Sequence, residues 1–575
     1  PDLFIYYTMS QSQLPAMNLQ QLRGPTPAFR YSLQRNLERI NPIVDEALRK
    51  FLTTTDYAKV FTYRRSTVTP EALIEDFKRS DMPQFKLTRD TIYSNALKEL
   101  TDIMKPPTPI RPVHFTDLRQ YPWNLSTSAE APFVRDPHWA QQVEKAFNAK
   151  LLPSRKLNFH NLYNLIFDYN RTVVHLIKEG RREPGQFLYH RTAHARSHLV
   201  TDDKPDKIRM VYGVPKLHIM IEVMLLWDYV RQLRQTHNPY ILWGFEVLNG
   251  GMLKLNELLC SPKFSTLLFY DFKRFDKSLL FEMIDDIHQI WRSYSATDTF
   301  YVPTREYPHA DYRFKFRIDN LWEFMREFVK YGPTLMPDGS LWRAMFNSLP
   351  SGLFQTQLLD CFCNLLIIIT TLMEMDLYSR DILLKVLGDD SIIGLLQHIP
   401  TNLHTDFHQR FSQIIWDRFR LQVAPLSETA SMSVHPHSVQ CLGYRNRYGF
   451  PYRDEFELLA MLAFRERAHP ASQLRGVAIG IAYASAGCSQ TVYNICHEVF
   501  TSAGYIDTAI DFTGFAKPLV MQDIYGLDLS DVTEFPSFTA ISQNLYSYPV
   551  SCTNRIWNPD WFINSDLPGS STINK

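Results

Sequence analysis

The tightest constraint on this chain is Leu387-Gly388-Asp389-Asp390, set between the apolar runs Ile382-Leu383-Leu384 and Ile392-Ile393. Two strand-like runs joined by so few residues form an antiparallel hairpin, and the Gly supplies the backbone freedom of its turn. Paired carboxylates at such a place are costly to bury unless a cation neutralises them, and a divalent metal is the simplest one. A Gly followed by two Asp also makes an ordinary polar turn between strands. The balance changes upstream, where Leu267 to Tyr270 is a second apolar run that ends in Asp271. With that strand beside the hairpin, Asp271, Asp389 and Asp390 converge on one point. Three carboxylates suit two hard cations with oxygen ligands, magnesium first.

At 575 residues and 45% hydrophobic content, the chain has the make-up of a soluble globular protein with several subdomains. Its 35 Pro against 21 Gly imply fixed loops and turns rather than flexible linkers. A formal net charge of +1 excludes a bulk polycation, so any nucleic-acid site must come from local clustering. Cations outnumber anions between Lys178 and Lys216, a run that is ordinarily a solvated surface. Seven scattered Cys without a CxxC pair fit a reducing intracellular setting. The longest apolar run, Cys361 to Met373, is interrupted by Asn364 and is short of a bilayer span, and no cleavable signal peptide is evident. Residue 1 is Pro rather than Met, so a few residues are expected to precede it.

Apolar spacing predicts helices over Ile43 to Leu52, Thr91 to Met104, Phe159 to Glu179, Lys216 to Thr236, Ser278 to Tyr294, Thr356 to Met375 and Asn402 to Phe419. Val439 to Tyr444 with Tyr448 to Tyr452 reads as a hairpin around Asn446. Glu455 to Glu466, Pro470 to Ala484 and Ser489 to Ala503 read as a helical bundle. From about 520 onward, Pro, Ser and aromatic residues without periodicity predict loop with short strands. The order strand, helix, long insertion, helix, hairpin, helix, hairpin is that of an α+β core with helical appendages.

Leu349-Pro350-Ser351-Gly352 leads into the Thr356 helix, where Thr356, Asp360 and Asn364 recur every four residues as one polar stripe on an apolar element. Such groups either bond neighbouring backbone or face a ligand, and their place between two carboxylate strands favours the ligand.

Asp271 with Asp276, Ser351-Gly352 with Thr356 and Asn364, and Gly388-Asp389-Asp390 resemble motifs A, B and C of viral RNA-dependent RNA polymerases, in order and in spacing. The Pro-Ser-Gly-x-x-x-Thr-Gln-x-x-Asp-x-x-x-Asn form is most similar to the partitivirus and picobirnavirus group of double-stranded RNA viruses, partitivirus first. The segment Lys207 to Lys216 resembles motif F, whose cations hold the incoming triphosphate in that family, here Lys207, Arg209 and Lys216. Leu442-Gly443-Tyr444 with Gly449-Phe450-Pro451 resembles motif E, which supports the primer end. Asn124 to Ser128 with Pro132 resembles motif G at template entry.

The resemblance implies an RNA-directed RNA polymerase that replicates and transcribes a viral double-stranded RNA genome by attack of a primer 3′-hydroxyl on the α-phosphate of a nucleoside triphosphate. Two magnesium ions, or manganese in their place, are expected on Asp271 and Asp389, with Asp390 as a secondary ligand. Asp276 is expected at the ribose 2′-hydroxyl, with Ser351, Gly352, Thr356, Asp360 and Asn364 completing the nucleotide site. The family's motif D lysine, a general acid toward pyrophosphate, is missing from Leu421 to Met432. His404, His408 and Arg410 are the nearby candidates, and the role stays unassigned. A reverse transcriptase and a non-catalytic capsid-associated RNA-binding protein are the alternatives; the ribose-contacting set speaks against the first, and the presence of all three carboxylates against the second.

The fold implied is a right hand with a small antiparallel palm sheet flanked by helices. Residues 1–110 would bridge fingers and thumb, 111–265 and 293–345 form the fingers, 266–292 and 346–452 the palm, and 453–575 the thumb and C-terminal segment. That last segment is expected to pack on the thumb. The partners implied are RNA template and product, nucleoside triphosphates and a capsid protein, with no membrane, for a monomeric enzyme in the virion interior or host cytoplasm.

Overall fold

The computed structural model describes residues 17–27, 40–426, 430–438, 440–466, 471–504, 510–512, 529, 532–547 and 556–563. It is a mixed α/β protein of small sheets among many helices. Helix Thr356–Glu374 runs through its centre, buried on every side. Among the described residues it is the one helix long and apolar enough to cross a membrane, and here that apolar surface is core.

Beside this helix lies a four-stranded antiparallel sheet in the order Leu383–Leu387, Asp390–Leu395, Thr266–Tyr270, Ser431–Ser433. Its first three strands bury nearly every residue, which is why they read as continuous apolar runs rather than alternating ones. A second sheet has five strands in the order Leu19–Arg23, Leu341–Ala344, Thr334–Leu335, Arg191–Ser197, Ile208–Gly213. Its first strand comes from the N-terminal region, where a mostly helical layer was expected. Leu19-Gln20-Gln21-Leu22-Arg23 is too short and too polar to announce itself, and its pairing with Leu341–Ala344 is supplied by tertiary context.

The N-terminal region touches two cores. Helix Pro42–Phe51 starts at the N-cap Asn41 with Pro at its first position, and buries Val44, Ala47 and Leu48 among Leu459, Leu474 and Ile495 of the helices Glu455–Ala463, Ala471–Ala484 and Gln490–Ser502. Helix Pro70–Lys78 starts the same way after Thr69 and lays Leu73 and Phe77 against Ala193, Ile208 and Met210 of the five-stranded sheet.

Four expectations need correction. The helix expected over Phe159 to Glu179 begins only at Tyr163, because residues 159–162 form a turn that bonds back to Leu125 and Thr127. The helix expected from Ser278 to Tyr294 breaks at Leu279-Leu280, where both residues turn extended and Leu279 O accepts from Ser348 N–H. Asn446 is no turn residue: it lies in the middle strand of a three-stranded sheet, Gln440–Cys441, Tyr444–Arg447 and Phe450–Tyr452. The actual turns are Leu442-Gly443 and Tyr448-Gly449, all four at positive φ. The C-terminal segment shows no strand among its described residues beyond an isolated bridge from Phe562 to Thr304; Phe535 and helix Phe538–Gln543 pack on the helices Glu455–Ala463, Ala471–Ala484 and Gln490–Ser502, while residues 556–563 pack elsewhere. There Trp227 of helix Lys216–Gln235 donates its indole N–H to Ile556 O at 2.7 Å, and the rings of Trp557 and Phe562 sit edge-on to it. Two large rings of this segment are thereby buried around one indole.

Candidate active site

The hairpin register pairs Leu387 with Asp390, so Gly388 and Asp389 are the turn, with Gly388 at φ +63°. The neighbouring pairing of Ser391 with Tyr270 brings the end of the Thr266–Tyr270 strand to the same level, so Asp271 leaves the sheet beside Asp390. The central helix holds the turn. Cys361 Sγ accepts from Gly388 N–H at 3.3 Å, and Asn364 Nδ2 donates to Gly388 O at 3.0 Å and Asp390 O at 3.4 Å.

The carboxylates feel one another. Burial raises the Asp389 carboxyl above its ordinary range and the Asp271 charge raises it further. Burial, then Asp389 and Asp271, push Asp390 up to about 7, against a hydrogen bond from Leu442 N–H that favours its charged form. Asp276 is raised by burial and by Asp389, and Asp360 by burial, Asp276 and Asp389. This is a pocket of negative charge in excess of its compensation. The opposing cations stand at the start of strand Ile208–Gly213: Lys207 acts on Asp271 and Asp389, and Arg209 on Asp276, Asp389 and Asp390. Lys216 also has partners of its own. It is buried at the start of its helix, donates to Thr127 Oγ1 at 3.1 Å and lies over the Phe159 ring, which ties it to the 124–128 loop.

The polar stripe serves both purposes weighed from the sequence. Thr356 Oγ1 donates to Pro350 O at 2.9 Å, and the Asn364 amide nitrogen is spent on the turn. Ser351 Oγ, Asp360 Oδ1 and Asn364 Oδ1 are buried with no hydrogen-bond partner. Buried polar atoms are normally satisfied, so two orphans on the stripe and one on the loop before it, beside the carboxylates, mark a ligand-facing surface. Gly352, at φ +97°, passes so close to strand Ile208–Gly213 that a Cβ would stand 2.6 Å from Tyr212 O.

Residues with no obvious motif hold this loop. Asn18 Oδ1 accepts from the N–H groups of Met345, Phe346 and Asn347, and Leu349 N–H in turn donates to Asp276 O. At the far end, the fully buried Glu222 accepts from Phe354 N–H at 2.9 Å and Gln355 Nε2 at 2.6 Å, and Gln355 Oε1 meets His288 Nε2 at 2.6 Å. Glu222 had a visible signal, as a lone acid within the apolar stretch Leu217 to Trp227; Asn18 had none.

A cavity of about 80 Å³ adjoins Asp271 and Asp390, closed on its far side by Gln440, Leu442 and Gly443 of the three-stranded sheet. The general-acid candidates lie on helix His404–Phe419. His404 is buried with Nε2 on Ile399 O, His408 stacks on the Tyr270 ring, and Arg410 is exposed on the same helix.

Among the described residues, no three His, Cys, Asp or Glu side chains stand close enough to enclose a metal as a group. The donor chemistry nonetheless fits hard divalent cations: all-oxygen carboxylates, half-buried, mutually repelling, and able to share an ion with the oxygens of a bound phosphate chain.

The family model for viral RNA-dependent RNA polymerase matches residues 204–466. The chain is 28% identical over 526 residues to the RNA-directed RNA polymerase of White clover cryptic virus 1 (isolate Boccardo/2004), covering 82% of this chain and 84% of that protein. It is 31% identical over 442 residues to that of Atkinsonella hypoxylon virus (isolate 2H), covering 68% of this chain and 64% of that protein. The matched span takes in the carboxylate strands, the cationic strand, the loop at Gly352 and the three-stranded sheet alike, and the chain belongs to the viral RNA-dependent RNA polymerases, divalent-metal enzymes that bind RNA and nucleotides.

Proposed function

We propose that this polymerase copies a viral double-stranded RNA genome by two-metal nucleotidyl transfer, with Asp271 and Asp389 as principal ligands and Asp390 as secondary ligand to magnesium. The observation that carries the reading is the meeting of these carboxylates at adjacent strand ends, with Asp389 and Asp390 raised by burial and by their neighbours' charge, opposite Lys207 and Arg209. Bound there, divalent cations supply a lowered pKa at the attacking hydroxyl and charge stabilisation at the leaving pyrophosphate.

The protein's own groups do the rest. Lys207 and Arg209 neutralise and orient the triphosphate. Asp276, Ser351, Asp360 and Asn364 offer buried polar atoms to the ribose, with Gly352 allowing close approach. A site that bonds a hydroxyl rejects the deoxy analogue, because its buried acceptors are then left unpaired. Thr356 shapes the loop through Pro350, and Lys216 acts on the 124–128 loop, so its contribution falls on template entry. The right-hand division is part of the proposal: four-stranded sheet as palm, five-stranded sheet as fingers, helices after 453 as thumb, and the N-terminal region joining the last two. So is the setting: a monomeric enzyme held by a capsid protein inside the particle, in the host cytoplasm.

The test is extension on an RNA template with magnesium, comparing wild type with Asp389→Ala and ribo- with deoxyribonucleotides. Incorporation of ribonucleotides by wild type and its loss in the variant are expected. Equal incorporation by both proteins removes the metal assignment, and a preference for deoxyribonucleotides favours reverse transcription.

A further inference from the structure

Asp76 lies outside every motif above, on helix Pro70–Lys78 of the N-terminal region, and is only 6% exposed. Its two carboxylate oxygens go to two different parts of the site. Oδ1 pairs with the Lys277 ammonium at 2.5 Å, and Oδ2 accepts from Met210 N–H at 3.1 Å. The same ammonium also donates to the main-chain carbonyl of Asp76 at 2.9 Å, while the Arg79 guanidinium stands further off at 4.0 Å. Lys277 directly follows Asp276, and Met210 directly follows Arg209.

The Lys277 side chain is largely buried, so its charge needs a partner. Asp276 is an available carboxylate: it is adjacent in sequence, half-buried, repelled by Asp389, and already feels the Lys277 charge. The flexible four-carbon stem of a lysine allows it to change partner where a guanidinium fork would not. An ion pair between Lys277 and Asp276 would satisfy both residues, and it would use up the oxygen that the ribose hydroxyl needs.

We propose that Asp76 is a specificity-determining positioning residue: it holds Lys277 away from Asp276, leaving that carboxylate free for the sugar 2′-hydroxyl, and through Met210 it fixes Arg209 at the same site. The inference rests on the reading of Asp276 as the sugar-contacting group. It makes a helix of the N-terminal region part of the machinery that tells ribose from deoxyribose, although no atom of that helix touches the nucleotide.

Asp76→Asn separates the two functions, since the amide keeps an oxygen for Met210 N–H and loses the charge that holds Lys277. The ratio of kcat/KM for ATP to that for 2′-deoxyATP is expected to fall about tenfold or more in this variant. Adding Lys277→Met should bring the ratio back to within about threefold of wild type, because no ammonium is left to occupy Asp276. Because removing the unpaired ammonium also restores stability, the ratio is read at a temperature where every variant is folded, so that discrimination and not melting temperature carries the test. An unchanged ratio in Asp76→Asn, or a lowered one that the double variant does not recover, overturns the proposal. If Asp76→Asn does not fold, Lys277→Met alone carries the test: it should keep its discrimination, and a tenfold loss there overturns the proposal equally. Asp276→Ala keeps the two readings apart, since unchanged discrimination in that variant removes the ribose contact itself.

Discussion

Asn18→Ala tests how the loop carrying Ser351 and Gly352 is held. The Asn18 side chain is fully buried; Oδ1 accepts from Met345, Phe346 and Asn347 N–H at 3.1, 2.8 and 3.1 Å, and Nδ2 donates to Ser80 O and Asn347 O at 2.8 Å each. Truncation does not orphan all five partners. Met345 N–H keeps the main-chain oxygen of residue 18 at 2.9 Å, and Ser80 O keeps Asn347 Nδ2 at 3.1 Å. Phe346 N–H, Asn347 N–H and Asn347 O lose the bond that satisfied them. At about 1 to 3 kcal/mol for each buried unsatisfied group, less what an entering water recovers, the local cost is about 3 kcal/mol. Opening of residues 345–349 then becomes about 100-fold more frequent, at 1.4 kcal/mol per factor of ten. Amide hydrogen exchange followed by mass spectrometry on peptides covering that segment reads this directly, and it reports on the loop even where global unfolding is not two-state. Acceleration of less than about fivefold would refute the accounting, by showing that the three groups find other partners or that the loop is held elsewhere.

Two further outcomes follow from single positions. Gly352→Ala combines a left-handed backbone with a Cβ 2.6 Å from Tyr212 O, so the loop must leave the cationic strand; kcat/KM for nucleotide should fall at least about tenfold with little change in melting temperature, and a change within twofold would sink the argument. Asp117, whose Oδ1 accepts from the Trp561 indole at 3.0 Å, has its carboxyl raised by burial from 3.8 to about 6. The folded state therefore keeps a proton that the unfolded chain releases, and stability falls as pH rises from about 4 to about 6, then levels off. Asp117→Asn removes that penalty, so the stability difference between variant and wild type should move in the variant's favour by about 2 kcal/mol between pH 4 and pH 7; a difference that is flat with pH would exclude it.

What could be seen in the sequence was whatever a short window contains. A run of buried apolar residues tipped by an acid announces both the strand and its end, which is why Asp271 and the Gly388-Asp389-Asp390 turn were legible together with their antiparallel arrangement. Asn446 shows how the same local logic errs. Asn favours turns, but here the side chain is buried, bonding Asn256 Oδ1, Pro436 O and Gly449 N–H from mid-strand, and the true turns lie one step outward at Gly443 and Gly449. Lys216 was read as a triphosphate contact from the resemblance of its segment to motif F; it begins a helix, and its ammonium donates to Thr127.

The residues that sequence reasoning missed share one property: each is a single polar side chain whose partners lie far along the chain. Asn18 answers to 345–347, Asp76 to Met210 and Lys277, Glu222 to Phe354 and Gln355. No periodicity marks such a residue, because its partners are set by the packing of whole elements. The division has a physical cause. The groups that meet the nucleotide must sit on rigid, strongly patterned strands and helices, and that patterning is visible locally. The groups that set the distances between those strands must instead come from elsewhere, since one element cannot fix its own position relative to another. In this chain that task falls largely to buried side chains of the N-terminal region, so the precision of the site depends on residues outside every motif that identifies it.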